Sequence, residues 1–494
     1  MERSLDAVRA LSPRLTPEFL EEHGVLPLGV EQQVLRLGSW RGEVEPDVVY
    51  ELEALSGATV AIEPVNEDEA RAAIRRVYGE SSAQSLIEAM GDGGGAMDAE
   101  SPAIDDLRAL ANEAPVIRLV SMLLSEALTA RASDVHLEAY PDALRVRYRV
   151  DGVLQEAPSP PRSMAPAVVS RLKVMADLDI AERRTPQDGR IRLTLQDRQV
   201  DVRVSTVPTL HGESVVLRLL DKEAGRLGLE SLGMSPDDLE RLQKVLTIPH
   251  GIVLATGPTG SGKTTTLYAA LERLRTGREK ILTVEDPIEY QLEGIPQVPV
   301  NTQVGVTFAS ALRALLRQDP DVMLVGEIRD GETAEIATQA ALTGHLVLST
   351  LHTNDAAGAL TRLVDLGVAP FLVAATVEAV LAQRLVRTVC RTCGSEEPAT
   401  ESERSALGAK ELTTVQRGRG CAACRGSGYA GRTGVYELLV LDDAMREAIS
   451  AKDGAASVRV IARQSGVSTL KHDGVRLVAA GVTTPEEVLR VCRG

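Results

Sequence analysis

Three rhythms of apolar residues divide the chain. From Ala114 to Ala130 they recur at helical spacing, while in Val200-Asp201-Val202-Arg203-Val204 they alternate with charges, the pattern of a strand with one wet face. Ile252–Thr256, Ile281–Val284, Val322–Gly326 and Leu346–Thr350 are instead short unbroken apolar runs, as parallel strands buried on both faces require. Helical stretches at Lys263–Arg275 and Phe308–Arg317 fall between those runs. Strand alternating with helix predicts an α/β core on a parallel sheet. Ala143–Val150, Arg190–Leu195, Gln199–Thr206 and Ser214–Leu220 read as further strands, which with the helix at 114–130 make an α+β domain.

These patterns predict a multidomain chain. Residues 1–90 form a small helical or mixed N-terminal domain, with helix-compatible segments at Pro17–His23 and Glu67–Val77. Residues 91–103, opening with Gly91–Gly95, form a flexible linker. The α+β second domain spans 104–222, the α/β core 230–386, a cysteine-bearing insertion 387–433 and a helical C-terminal subdomain 434–494. A length of 494 residues suits about three domains of ordinary size.

Composition narrows the function classes. Hydrophobic residues at 44% and charged residues at 25% exclude a disordered or fibrous chain. A net charge of −16 and only 2% aromatics argue against phosphate-backbone attraction and base stacking, so no direct nucleic acid partner is expected. No apolar run approaches the ~20 residues that span a bilayer, and the mixed-charge N-terminus does not read as a secretory signal. The expected location is the cytoplasm, with any membrane association made through a partner.

The strongest chemical signal is Gly257-Pro258-Thr259-Gly260-Ser261-Gly262-Lys263-Thr264, followed by Thr265. It matches the phosphate loop, where glycines let the backbone curl its N–H groups toward phosphates at a helix N-terminus. Lys263 is placed to reach the β- and γ-phosphates of ATP, and Thr264 to hold Mg²⁺. The run Val322–Gly326 ends in Glu327, a candidate for water activation, since an ionised Glu at the end of a core strand needs a cation or ordered water. Two more runs end in polar groups: one leads into Glu289, the other into His352, with His345 just before it. Carboxyl ends of neighbouring parallel strands share one crevice, so the phosphate loop, Glu289, Glu327 and His352 are expected to converge on one nucleotide.

Cys390, Cys393, Cys421 and Cys424 form two C-x-x-C pairs, a spacing that fits a closed structural Zn²⁺ site. A redox pair is the competing reading, and Arg425, Arg432 and nearby glycines leave a nucleic-acid ribbon open. Cys492 reads as a free thiol. On predicted strands, Arg203 and Arg218 are either a solvated, salt-bridged sheet face, together with Arg190, or arginine fingers that reach the γ-phosphate from outside the core.

Several segments together resemble one family. GPTGSGKTTTLYAAL, ILTVEDPIEY, LRQDPDVMLVGEIRD and TGHLVLSTLHTND look like the Walker A, Asp-box, Walker B and His-box elements of the secretion ATPases, which span type II secretion, type IV pilus assembly and related motors. Upstream, ASDVHLEAY, RVDGVL, RRTPQDGRI and VDVRVSTVPTLHGESVVLRLLDK resemble the family's second N-terminal domain, and the four cysteines its zinc subdomain. The resemblance covers roughly 104–494. It implies a RecA-like P-loop core and ATP hydrolysis with Mg²⁺. It makes Glu327 the Walker B glutamate, Glu289 the Asp-box acid, His345 and His352 the His-box pair, and Arg203 and Arg218 contacts to the γ-phosphate. It further implies a homo-hexamer at the cytoplasmic face of the inner membrane, docked through residues 1–90 on a secretion-platform protein. Length and the short first domain favour the type II secretion branch, with pilus assembly as the alternative and a DNA-uptake or conjugation motor further off.

Overall fold

The computed structural model describes residues 23–70 except 32–33, 43, 57 and 68, residues 110–492 except 196–197, 222–226 and 452–453, and the single positions Leu20, Ala83 and Ile87. Most of the helices expected at Pro17–His23 and Glu67–Val77, and the Gly91–Gly95 linker, lie outside the described residues.

Near the N-terminus a three-stranded sheet forms from β1 (Val25–Glu31), β2 (Val34–Ser39) and β3 (Thr59–Pro64). Helix α1 (Pro46–Ser56) makes the crossover that lets β2 and β3 run parallel. Val25, Leu35, Leu37, Val48 and Leu52 make its core.

The second domain follows α2 (Ala114–Thr129), whose Val116, Leu119, Val120, Leu123, Leu124 and Ala127 form one buried stripe. Its strands are β4 (Ala132–Ala139), β5 (Leu144–Val150), β6 (Val153–Glu156), β7 (Gln187–Leu195), β8 (Arg198–Thr209) and β9 (Gly212–Asp221), with α3 (Ala165–Met175) between β6 and β7. They pair antiparallel in the order β6-β5-β4-β9-β8-β7. Val200, Val202 and Val204 pack in one core with α2 and α3. Alternation then sends their neighbours to the other face. There the register aligns Arg190 with Arg203, Arg203 with Arg218, Arg218 with Asp134, and Asp134 with Arg149.

After α4 (Pro236–Val245) comes the core: β10 (Gly251–Thr256), α5 (Lys263–Leu274), β11 (Ile281–Glu285), β12 (Gln297–Pro299), α6 (Phe308–Leu315), β13 (Val322–Val325), α7 (Gly331–Leu342), β14 (Leu346–Leu351), α8 (Ala356–Asp365), α9 (Pro370–Thr376) and β15 (Val377–Val389). One sheet runs β12-β11-β13-β14-β10-β15-β18, parallel except for the last pair. Every residue of β10, β11, β13 and β14 is buried, which is why these strands read as unbroken apolar runs.

The cysteine excursion leaves β15 and carries β16 (Gly394–Pro398), α10 (Glu401–Leu407) and β17 (Thr414–Gly418) before rejoining the sheet as β18 (Tyr429–Val440). The ends of the segment predicted as an insertion, 387–389 and 429–433, therefore belong to core strands. Helices α11 (Asp443–Ser450), α12 (Gly454–Gln464), α13 (Leu470–Ala479) and α14 (Pro485–Val491) close the chain, and Met445, Ile449, Val458 and Leu477 join the main core.

Candidate active site and cysteine centre

Gly257-Pro258-Thr259-Gly260-Ser261-Gly262 links the end of β10 to the first turn of α5. Gly257, Gly260 and Gly262 have φ of 152°, 77° and 88°. A Cβ on Gly257 would lie 2.5 Å from the Gln383 carbonyl oxygen, so that position admits no side chain, and the left-handed φ of Gly262 disfavours one there. Pro258, Thr259 and Gly260 are exposed at the crest, and Thr264 and Thr265 are half-buried on the first turn. Lys263 turns back over the loop, its Nζ donating to the carbonyls of Gly257 (2.8 Å) and Pro258 (3.1 Å). It is only 8% exposed. Burial pulls its pKa down to about 8, with Arg384 adding to the fall and Glu327 opposing it. The buried Ser261 Oγ has no hydrogen-bond partner among the described residues. A concave run of backbone donors, a cation resting on loop carbonyls and an orphaned hydroxyl together fit a polyphosphate.

Glu327 stands just past β13, beside the end of β14. One carboxylate oxygen accepts from Arg329 Nη2 at 2.5 Å, and the other lies 3.5 Å from His352 Nε2. Burial pushes the Glu327 carboxyl up, but Arg329 and His352 more than offset it, and its pKa lies below the ordinary value. Arg329 also faces Asp286 at 3.8 Å. Sequence reasoning missed Arg329; its place two residues after Glu327 was the available signal. It also missed Arg384, buried on β15, which donates to Asn354 O at 3.0 Å and so links the loop entrance to the segment after His352.

Glu289 faces the second domain. Its Oε2 lies 3.3 Å from Arg203 Nη2, which also donates to Ile288 O at 3.3 Å. A cleft of 840 Å³ opens here, lined by Gly262, Thr265, Glu289 and Gln383 from the core and by Ser133 and Asp151 from the second domain.

The other candidate residues lie apart from these groups. His345 lies at the other end of β14 from His352, with Nδ1 2.9 Å from Ala340 O. Six strand residues at ~3.3 Å each put the two histidines ~20 Å apart, so the structure does not bring His345 to the site. Arg218 stays within its own sheet, Nε donating to Asp134 at 3.0 Å, and Arg190 is ion-paired with Asp201. Of the three arginines, Arg203 is the one in contact with the core. Arg425 and Arg432, left open for nucleic acid, both contact the second domain.

The β16–β17 hairpin pairs Gly394 with Gly418 and so brings the two C-x-x-C turns together. Sγ–Sγ distances are 3.9 Å for Cys390–Cys421, 3.7 Å for Cys393–Cys424 and 3.7 Å for Cys421–Cys424, and all four sulfurs lie within 4.8 Å of one another. A tetrahedron with metal–sulfur bonds of ~2.3 Å has edges of ~3.8 Å. The backbone N–H groups of Cys421 (3.1 Å) and Gly428 (3.3 Å) donate to Cys424 Sγ. Burial pushes that thiol up, but those donors more than offset it and its pKa falls to about 6. The four cysteines can hold a metal.

The family model described as "Type II/IV secretion system protein" matches residues 109–490. The chain belongs to that family. It is 51% identical to "Type II secretion system protein E" of Pseudomonas aeruginosa over 99% of this chain and 98% of that protein. It is 50% identical to "Type II secretion system ATPase E" of Vibrio cholerae over 84% of this chain and 83% of that protein. Among solved structures it resembles the pilus retraction motor PilT with bound ADP, at TM-score 0.52 and 25% identity over 75% of this chain and 96% of that one. The Legionella pneumophila ATPase DotB shares the fold, at TM-score 0.58 and 20% identity over 75% of this chain and 94% of that one. As a member of this family of secretion ATPases, the chain is an ATPase. Among the described residues, no helix is long and apolar enough to cross a membrane.

Proposed function

We propose that this ATPase is the motor of a type II secretion system, working as a homo-hexamer that drives pseudopilus assembly and protein export. Glu327 and His352 lie together on the core near Lys263, and Arg203 reaches Glu289 from the second domain; this arrangement carries the reading. Lys263 leaves its loop carbonyls for the β- and γ-phosphates, and Thr264 on the first turn of α5 supplies a hydroxyl for Mg²⁺. Mg²⁺ held there would supply charge neutralisation on the transferred phosphoryl group. Glu327 orients and deprotonates the attacking water, and His352 holds its carboxylate. Arg203 bridges the domains through Glu289, so γ-phosphate arrival recruits the second domain and phosphate release frees it. Arg218, aligned with Arg203 across β8 and β9, follows on closure.

Cys390, Cys393, Cys421 and Cys424 hold one structural Zn²⁺, since the set offers four sulfurs and no open position. Residues 1–90 dock on an inner-membrane platform protein and keep the motor peripheral at the cytoplasmic face. The near full-length likeness to type II secretion proteins supports secretion over pilus assembly. Lys263→Ala in the source organism is expected to leave exported proteins trapped in the periplasm while surface pili persist. Lost pili with intact secretion would move the chain to pilus assembly.

A further inference from the structure

Among the described residues, two contacts join the second domain to the ATPase core and its cysteine segment. One is Arg203 at Glu289, beside the nucleotide cleft. The other is the tip of the β5–β6 hairpin, seated against the start of β18. There Asp151 accepts the Gly431 backbone N–H at 2.9 Å through Oδ2, and its Oδ1 lies 3.4 Å from Arg432 Nε. Nearby, Arg425 Nη2 donates to the carbonyl of Glu126 at 3.4 Å, near the C-terminus of α2. Beside the Arg425 contact lies a cavity of 510 Å³ lined by Glu126, Tyr148, Arg425 and Tyr429.

Both sides of this seat are shaped by tight backbone. Asp151 (φ 50°) and Gly152 (φ 83°) are both left-handed, as a two-residue Asp-Gly hairpin turn demands, and the turn projects the carboxylate from the sheet end. Opposite it, Arg425 directly follows Cys424 and is itself left-handed, at φ 52°. Its N–H bonds Ala422 O (3.1 Å), Gly426 N–H bonds Cys421 O (2.9 Å) and Gly428 N–H bonds Cys424 Sγ (3.3 Å). Cys390 N–H in turn bonds Gly428 O (2.9 Å), so the cysteine cluster fixes the path into β18. Arg425, which meets Glu126, lies on the knuckle that carries two of the four cysteines, and Gly431 and Arg432, which meet Asp151, lie at the start of β18, where the chain leaves that knuckle and pairs with β15.

We infer that the cysteine knuckle is a metal-dependent docking seat for the second domain, closed by Asp151 on Gly431 and Arg432 and by Arg425 on α2. This rests on the Zn²⁺ reading above. The seat holds one edge of the second domain while the Arg203 side is free to open and close over nucleotide. Arg425 and Arg432 serve an interface inside the chain rather than an external polyanion.

The test is hydrogen–deuterium exchange on the full-length chain, following peptides 121–130, 149–156 and 429–436, none of which contains a cysteine. Zinc content is read in parallel by elemental analysis. In D151A, with one zinc per chain retained, exchange in 429–436 is expected to rise about tenfold because the Gly431 N–H loses its acceptor; 149–156 is not the readout for this variant, since Ala itself strains the left-handed turn. Wild-type protein stripped of zinc by a chelator is expected to show that rise in 121–130 and 149–156. Unchanged exchange of 429–436 in zinc-bound D151A overturns the seat. Unchanged exchange in the stripped chain overturns its dependence on metal. Wild-type protein purified without zinc refutes the zinc reading itself, and D151A still decides the contact.

Discussion

Lys263 shows how a single residue is prepared for its ligand. Its ammonium is held by two carbonyls that a phosphate outcompetes, and burial has already lowered its pKa to about 8. Phosphate stabilises the charged form, so nucleotide binding raises that pKa and takes up protons between pH 8 and the bound value. Affinity for a non-hydrolysable ATP analogue is therefore expected to be flat below about pH 7.5 and to weaken as pH rises past 8. Titration calorimetry across pH 7–9.5 in buffers of different ionisation enthalpy reads both the weakening and the proton uptake. A pH-independent affinity with no proton uptake would remove the perturbed lysine. At this scale the sequence was informative where a residue type and its spacing are tied to one backbone shape, as in the phosphate loop. For Arg329 it offered only a place two residues after Glu327, and for Arg384 nothing, since their roles depend on which loops lie beside them.

Secondary-structure elements were legible in proportion to how far burial governed their residues. The fully buried parallel strands announced themselves, and β8 declared its two faces by alternation. β15 did not: Val377, Ala379, Val380, Leu381 and Ala382 are all buried, giving neither alternation nor a turn signal, and Ala favours helix. Only its pairing with β10 and β18 makes it a strand. His345 was misplaced for a related reason, because proximity in sequence to β14 does not say which end of the strand holds the ligand. Where β15 meets α14, the 2%-exposed Glu487 side chain accepts from Arg387 (2.7 Å) and Arg490 (2.8 Å). Burial pushes its carboxyl up, but the two arginines more than offset it and bring its pKa down to about 2. Glu487→Ala leaves Arg387 without its carboxylate and is expected to cost about 3 kcal/mol in chemical denaturation. The stabilisation is full above the unfolded-state pKa of about 4.5 and is lost as pH falls toward 2. In the cysteine centre, Cys421→Ser is expected to lower zinc content from one per chain to near zero and to lower the melting temperature. Retention of stoichiometric zinc would contradict the four-sulfur site.

At the scale of the whole molecule, the chain is built from domains that meet across one cleft. The core supplies the phosphate loop and Glu327, and the second domain supplies a row of arginines of which Arg203 already touches the core. The order of α+β domain, α/β core and cysteine excursion was readable because each has its own hydrophobic rhythm. Contacts between domains were not, since Asp151 with Gly431 and Arg203 with Glu289 join residues far apart in sequence through ordinary polar groups that no periodicity marks. Hydrolysis of ATP on Glu327 is the reading that its place past β13, near Lys263 and His352, supports. It is tested most directly by measuring phosphate release and nucleotide affinity together in Glu327→Gln. The account predicts turnover reduced about 10²-fold or more with ATP affinity preserved; turnover near that of the unmodified chain would contradict it.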